Sequence, residues 1–222
     1  CLLMRKMFAL ALGAAMIAQP ILAQNSASTP APEDWPRYAR DLGGTRYSPL
    51  DDINRQNVSQ LDQAWTFRLR PEGGAALLGG TTPIVVDGTM YLPLGNAVVA
   101  LEAHTGRELW RHPVQGGLVR RGVTYWAGDG EHQPRIFYST GPGMTALSAA
   151  TGEVDTAFGE SGSITYGGTP YGYPPTIYKN VMLIGASTPE DPKGPSGNSR
   201  AYDARTGQKL WEFNSIPRPG EV

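Results

Sequence analysis

The chain has 222 residues, among them 28 Gly, 19 Pro and one Cys, and a formal net charge of −1. So small a charge leaves no basic footprint for nucleic acid; a single cysteine excludes an intrachain disulfide, and because Cys1 lies upstream of the expected start at Met4 no cysteine metal ligand or nucleophile is expected. Turn formers this dense, between short apolar runs, point to an all-β chain.

The N-terminus reads as an address. Met4-Arg5-Lys6 is a basic start, "MFALALGAAMIA" is an apolar stretch too short to span a bilayer comfortably, and Ala23 offers a small residue for cleavage. Residues 1–23 are therefore expected to be a bacterial secretory signal peptide, with a retained membrane anchor as the competing reading. Ile21 departs from the small-x-small rule, which allows the cut to fall a few residues later. Cys1 lies upstream of the expected start at Met4, and Gln24 stands where a lipidated Cys would follow the apolar run. Residues 24–33 are a polar, Pro-containing linker, and folded structure is expected from Asp34 onward. "NVSQL" at 57–61 is the one short helical turn, and "QAWTFRL" at 63–69 reads as an outer strand expected to belong with a last blade outside this chain. "TPIVVDGTMYLPL" forms a hairpin turning at Asp87-Gly88, and "PPTIYKNVMLIGA" forms another at Lys179-Asn180.

"ALEAHTGRELW" at 100–110 returns as "AYDARTGQKLW" at 201–211, and a weaker copy, "ALSAATGEVDT", lies at 146–156. Thr156 occupies the last copy's Trp position. Gly106, Gly152 and Gly207 are spaced 152 − 106 = 46 and 207 − 152 = 55 residues apart, the length of a four-stranded propeller blade. Alternation before each turn is that of a strand, with small Ala100 and Ala201 suited to sheets packed face to face. Gly106 and Gly207 can take positive φ in the Thr-Gly turn, where Glu102 and Asp203 are placed to accept turn amides. Trp110 and Trp211 then return as large flat side chains for the gap between neighbouring blades.

With these residues in view, the chain resembles the pyrroloquinoline-quinone (PQQ)-dependent alcohol and glucose dehydrogenases. The likeness rests on "DWPRYARDLGGTRYSPLDDINRQNVSQLDQAWTF", "TTPIVVDGTMYL", "RRGVTYWAGDG", "PRIFYSTGPGMTALSAATG", "PTIYKNVMLIGAS" and "GPSGNSRAYDARTGQKLWEFNSIPRPGE". It implies an eight-bladed β-propeller with Trp-docking motifs, of which residues 34–222 supply about three blades. The chain is accordingly expected to be an N-terminal fragment. Val119-Arg120 stand where the methanol and ethanol branch carries an adjacent Cys pair, a departure closer to the sugar-oxidising branch.

The resemblance carries over four residues. Arg121, in "RGVTYW", matches the residue that contacts the quinone oxygens, where a fixed guanidinium stabilises charge developing on a carbonyl. Glu190, in "IGASTPE", matches an acidic ligand to Ca²⁺; as alternatives, Arg121 is a solvated loop arginine and Glu190 a surface acid beside Asp191. Trp110 and Trp211 match structural docking tryptophans. Gly80 stands where the family usually has a Glu touching the cofactor, a departure that removes a polar contact. The catalytic Asp that acts as general base is expected beyond residue 222.

The implied parent is a periplasmic enzyme that oxidises a sugar or alcohol and passes electrons to ubiquinone or cytochrome c, with peripheral association with the inner membrane possible. Another reading is a non-enzymatic propeller scaffold similar to the outer-membrane assembly lipoproteins. The "RGVTYW" and opening blocks, and the missing lipidation Cys, favour the enzyme.

Overall fold

The computed structural model describes residues 29–69, 81–118, 122–167, 172–186 and 196–221. The expected signal peptide, Gly80, Arg121 and Glu190 lie outside them. Among the described residues, twelve strands form three four-stranded antiparallel sheets. The first holds β1 (Ile84–Val86), β2 (Thr89–Leu94), β3 (Ala97–Glu102) and β4 (Glu108–Pro113). The second holds β5 (Thr124–Trp126), β6 (Arg135–Ser139), β7 (Gly143–Ser148) and β8 (Ser163–Thr165), and the third β9 (Thr176–Tyr178), β10 (Val181–Gly185), β11 (Ser199–Asp203) and β12 (Lys209–Phe213). Each sheet is a simple meander in chain order, the form expected of propeller-type blades.

The hairpins expected from sequence are present. Asp87 and Gly88 take φ of 47° and 69°, and Lys179 takes 54°, the left-handed values a two-residue hairpin requires. The helical turn is a single 3-10 turn, Val58–Gln60. "QAWTFRL" joins no sheet among the described residues, in keeping with a strand expected to pair within a later blade. A strand exists only through its partner's hydrogen bonds, and here the segment is held by side chains instead. Trp65 and Phe67 lie on Leu92, Leu94, Val99 and Leu101 of the first sheet.

Sheets pack face to face because their strands alternate. Val98 and Ala100 of β3 face the second sheet's Ile136, Tyr138 and Leu147, whereas Val99 and Leu101 face the Trp65 segment. Phe137, Met144 and Ala146 carry the second sheet's other face onto Ile177, Met182, Ile184 and Tyr202 of the third. Burying both faces explains why β3 is apolar almost throughout. On the third sheet the alternation continues but only one side is covered: Met182 and Ile184 are buried, while Leu183 and Trp211 are 38% and 47% exposed.

The three Thr-Gly turns are near copies. Gly106, Gly152 and Gly207 have φ of 72°, 74° and 75°, and each donates its N–H to the residue four back, at 2.8, 2.9 and 2.8 Å. Asp203 accepts the amide of Arg205 at 2.8 Å, as expected. Glu102 instead accepts from the Thr105 hydroxyl and the Arg107 guanidinium.

Each turn also receives a donor from the preceding layer. Trp65 Nε1 donates to the carbonyl of Ala103 at 3.2 Å, and Trp110 Nε1 donates to that of Ala149 at 3.1 Å. The indoles lie flat over Gly106 and Gly152, where any Cβ would collide with the Trp65 and Trp110 rings. Glycine is required there twice over, for its φ and for the ring above it.

Candidate functional site

Strand direction sets which loops share an end. β1, β5 and β9 are the first strands, at one edge of their sheets, and all three begin at the end opposite the Thr-Gly turns, as the pairing of Ala97 with Leu94 and of Gly185 with Ser199 requires. Contacts tie these beginnings together. Thr124 Oγ1 donates to the carbonyl of Pro175 at 2.8 Å, and Gly122, at φ 118°, has the Thr82 carbonyl 3.2 Å from where a Cβ would stand.

Arg121 precedes Gly122, which leads directly into β5, and Glu190 falls between Ala186 and Ser196, which flank the connection from β10 to β11. The described flanks of both therefore belong to the same end of the assembly. One side of the first flank is fixed by the amides of Val114 and Leu118, which donate to the carbonyls of Asn96 and Gly95 at 2.7 and 3.2 Å. On the second, Asn198 is buried and donates to Glu212 and Asn214, both at 2.8 Å, while its own carbonyl oxygen accepts the Ser215 amide at 3.1 Å.

Glu212 anchors this corner. It accepts from Asn198, Arg200 (3.1 Å) and Lys209 (3.0 Å), and these hydrogen bonds bring its pKa down to about 2. Arg200 reaches in addition to the carbonyl of Tyr166, just after β8 of the second sheet. Ser139 and Tyr166 share a buried hydroxyl contact of 2.9 Å beneath the same end.

Of the residues singled out from sequence, Trp110 lies between the first and second sheets on Gly152. Trp211 lies on the open side of the third sheet, in register with Ala201. Arg135 was missed. It is 1% exposed, pairs with Asp155 at 2.6 Å, and sends Nη1 to the carbonyls of Ala204 and Arg205 at 2.8 and 2.6 Å. Ala204 is the counterpart of Ala103 and Ala149, so Arg135 supplies the hydrogen bond that the absent Trp at Thr156 would have made. Its guanidinium lies 5.3 and 5.8 Å from the Trp126 and Phe158 ring centres. An arginine inside the apolar run "PRIFYS" was the available signal, since a buried charge must be paired.

Among the described residues no three His, Cys, Asp or Glu side chains cluster as a metal site.

Three stacked antiparallel meanders with repeated interlayer docking define a mostly-β protein built of propeller-type blades. Residues 35–222 match the family described as PQQ: glucose/ethanol/alcohol dehydrogenase, beta-propeller domain. The chain belongs to this family. It is 35% identical over 209 residues to the quinohemoprotein alcohol dehydrogenase of Comamonas testosteroni, covering 87% of this chain and 27% of that protein. It is 31% identical to quinoprotein glucose dehydrogenase A of Acinetobacter calcoaceticus, covering 83% and 28%. The crystal structure of the Comamonas testosteroni enzyme superposes with a TM-score of 0.67 at 31% identity, covering 83% of this chain and 27% of that one. A europium-containing methanol dehydrogenase gives 0.65 at 29% identity, covering 86% and 34%. The chain thus spans about a quarter to a third of the length of these relatives.

Proposed function

We propose that the chain forms the first blades of an eight-bladed propeller in a periplasmic PQQ-dependent dehydrogenase that oxidises a sugar or alcohol. The observation that carries this reading is the shared end of the three sheets, from which the segments bearing both Arg121 and Glu190 depart. The open apolar side of the third sheet, with Trp211 and Leu183 exposed, supports further blades beyond it.

PQQ, when bound, would supply a quinone able to accept hydride from the CH–OH carbon and to hand the electrons on to ubiquinone or cytochrome c. Arg121 would put a permanent guanidinium charge beside a quinone oxygen that gains negative charge. Glu190 would offer a hard oxygen to Ca²⁺. The proton of the substrate hydroxyl goes to an Asp expected in later blades.

The test is dye reduction with glucose and with ethanol, in the presence of PQQ and Ca²⁺. The 222-residue chain is expected to show no turnover above buffer, and the chain extended by the following blades is expected to turn over. An extended protein that folds, takes up no PQQ and reduces no dye would overturn the reading.

A further inference from the structure

The spacing Trp-x-Phe occurs twice in the chain, at Trp65-Thr66-Phe67 and at Trp211-Glu212-Phe213. The first copy is docked. Trp65 lies over Gly106 with Nε1 on the carbonyl of Ala103, and Phe67 joins it on Leu92, Leu94, Val99 and Leu101 of the first sheet. Trp110-Arg111-His112 repeats the arrangement one layer on, with the indole over Gly152 and the imidazole against Tyr138, ring centres 5.6 Å apart. The second Trp-x-Phe is built in the same way and has no layer beneath it. Trp211 pairs with Ala201 and Phe213 with Ser199, so both stand on one face of β12, where they are 47% and 65% exposed. Leu183, paired with the same Ala201, and Tyr178, paired with Val181, carry this exposed face across β10 and β9.

At the other end of the stack the cover is thin. The segment 61–68 reaches the first sheet through Trp65 and Phe67, and among the described residues no backbone hydrogen bond ties residues 62–67 to a strand. Beneath those two rings lies the same kind of surface that the inner layers dock on: an apolar sheet face ending in a Thr-Gly turn whose glycine seats an indole.

The open docking face and its matching seat thus lie at opposite ends of the three sheets, where they can meet only between copies. We propose that the chain associates head to tail with a second copy of itself, Trp211 and Phe213 of one copy taking the places of Trp65 and Phe67 on the first sheet of the next, with Trp211 over Gly106. The exchange is close to even for the indole and the phenyl ring, and the gain comes from Leu183 and Tyr178, which leave water as the face closes. Because the two surfaces differ, each pair keeps a free end of both kinds and growth continues. The contact involves no cofactor, metal or substrate, so it stands or falls apart from the enzymatic reading.

Sedimentation velocity of the 222-residue chain at increasing concentration tests the proposal. The mean mass is expected to rise beyond that of a dimer. W211A/F213A removes the docking residues from the open end, and G106A sets a methyl group against an indole at the seat. Each variant, checked for an unchanged β-sheet circular dichroism spectrum, is expected to stay monomeric alone, and a mixture of the two is expected to form a heterodimer. If G106A does not fold, W65A takes its place: clearing the seat raises the fraction of chains competent to bind, and association about tenfold tighter is expected, a gain lost when W211A/F213A is added. A wild-type chain that stays monomeric at every concentration would overturn the proposal. So would association that persists in W211A/F213A or in folded G106A, as in a face-to-face pairing of two open ends, a mixture that forms no heterodimer, or a W65A chain that associates no more tightly than wild type.

Discussion

Arg135 Nη1 lies 2.8 Å from the carbonyl oxygen of Ala204, at the point in the third turn where the first two turns receive an indole N–H. The side chain comes from β6, not from the strand that follows the second Thr-Gly turn. The second junction therefore has the same acceptor as the first and a donor of different chemistry. Phe158 and Ile164 fill the space that a ring would have filled, with Ile164 Cγ2 2.7 Å from the position of a Cβ on Gly207.

Replacing Arg135 is expected to be among the most damaging changes in the chain. R135M removes the cation from Asp155 and leaves the carbonyls of Ala204 and Arg205 without a donor, a loss of about 3 kcal/mol. D155N is expected to cost less, because the carbonyl bonds remain and Asp155 is 26% exposed. Urea midpoints of the two variants check the order.

Trp110 and Trp211 match in sequence but not in surroundings. W110A removes a ring packed on Gly152 and a hydrogen bond, and is expected to cost about 3 kcal/mol, the low end for a large aromatic since Trp110 is half-buried. W211A in the 222-residue chain is expected to stay within about 0.5 kcal/mol. If a further blade docks on Trp211, the same substitution in a longer protein will cost several times more. Equal effects of W211A in the two contexts would remove the case for docking.

Gly152→Ala tests the turn itself. It adds a methyl group against the Trp110 ring and forces a left-handed residue, together about 2–4 kcal/mol. Gly130→Ala has positive φ but nothing within 4 Å of the added carbon, so only the smaller backbone penalty of about 1 kcal/mol is expected. Thermal midpoints distinguish the two.

Acid stability is expected to depend on Glu212. Its folded pKa of about 2 lies below the ordinary 4.5, so the unfolded chain binds the proton more readily. The stabilisation is fully present above pH ~4.5 and is lost as pH falls through ~2. Urea midpoints of the wild-type chain should drop across that window, and those of E212Q should drop less steeply from a lower start.

Arg121 is expected to act on charge development in the longer enzyme. R121A there should lower kcat/KM by about 10²-fold or more, with R121K recovering only part, since an ammonium lacks the planar fork. Stopped-flow measurement of cofactor reduction checks this separately from electron transfer to the dye.

The amino-acid sequence by itself determined the local elements. Asp87-Gly88, Lys179-Asn180 and the Thr-Gly turns are legible because backbone sterics within three or four residues decide them, and the strands because alternation repeats every second residue. The repeat length likewise marked three blades, and family likeness marked Arg121 and Glu190, whose flanks alone are described. Only the tertiary structure decided what meets across the layers. Residues 61–68 pair with no strand among the described residues and are held instead by Trp65 and Phe67 on the first sheet, which nothing local can reveal. Arg135 stands in for a tryptophan whose position lies 21 residues further along the chain, at Thr156, and Arg37 meets Ile177 across 140 residues. Such pairings are fixed by how sheets stack, and even where a charge inside an apolar run such as "PRIFYS" signals burial, its partner is set only by the stacking.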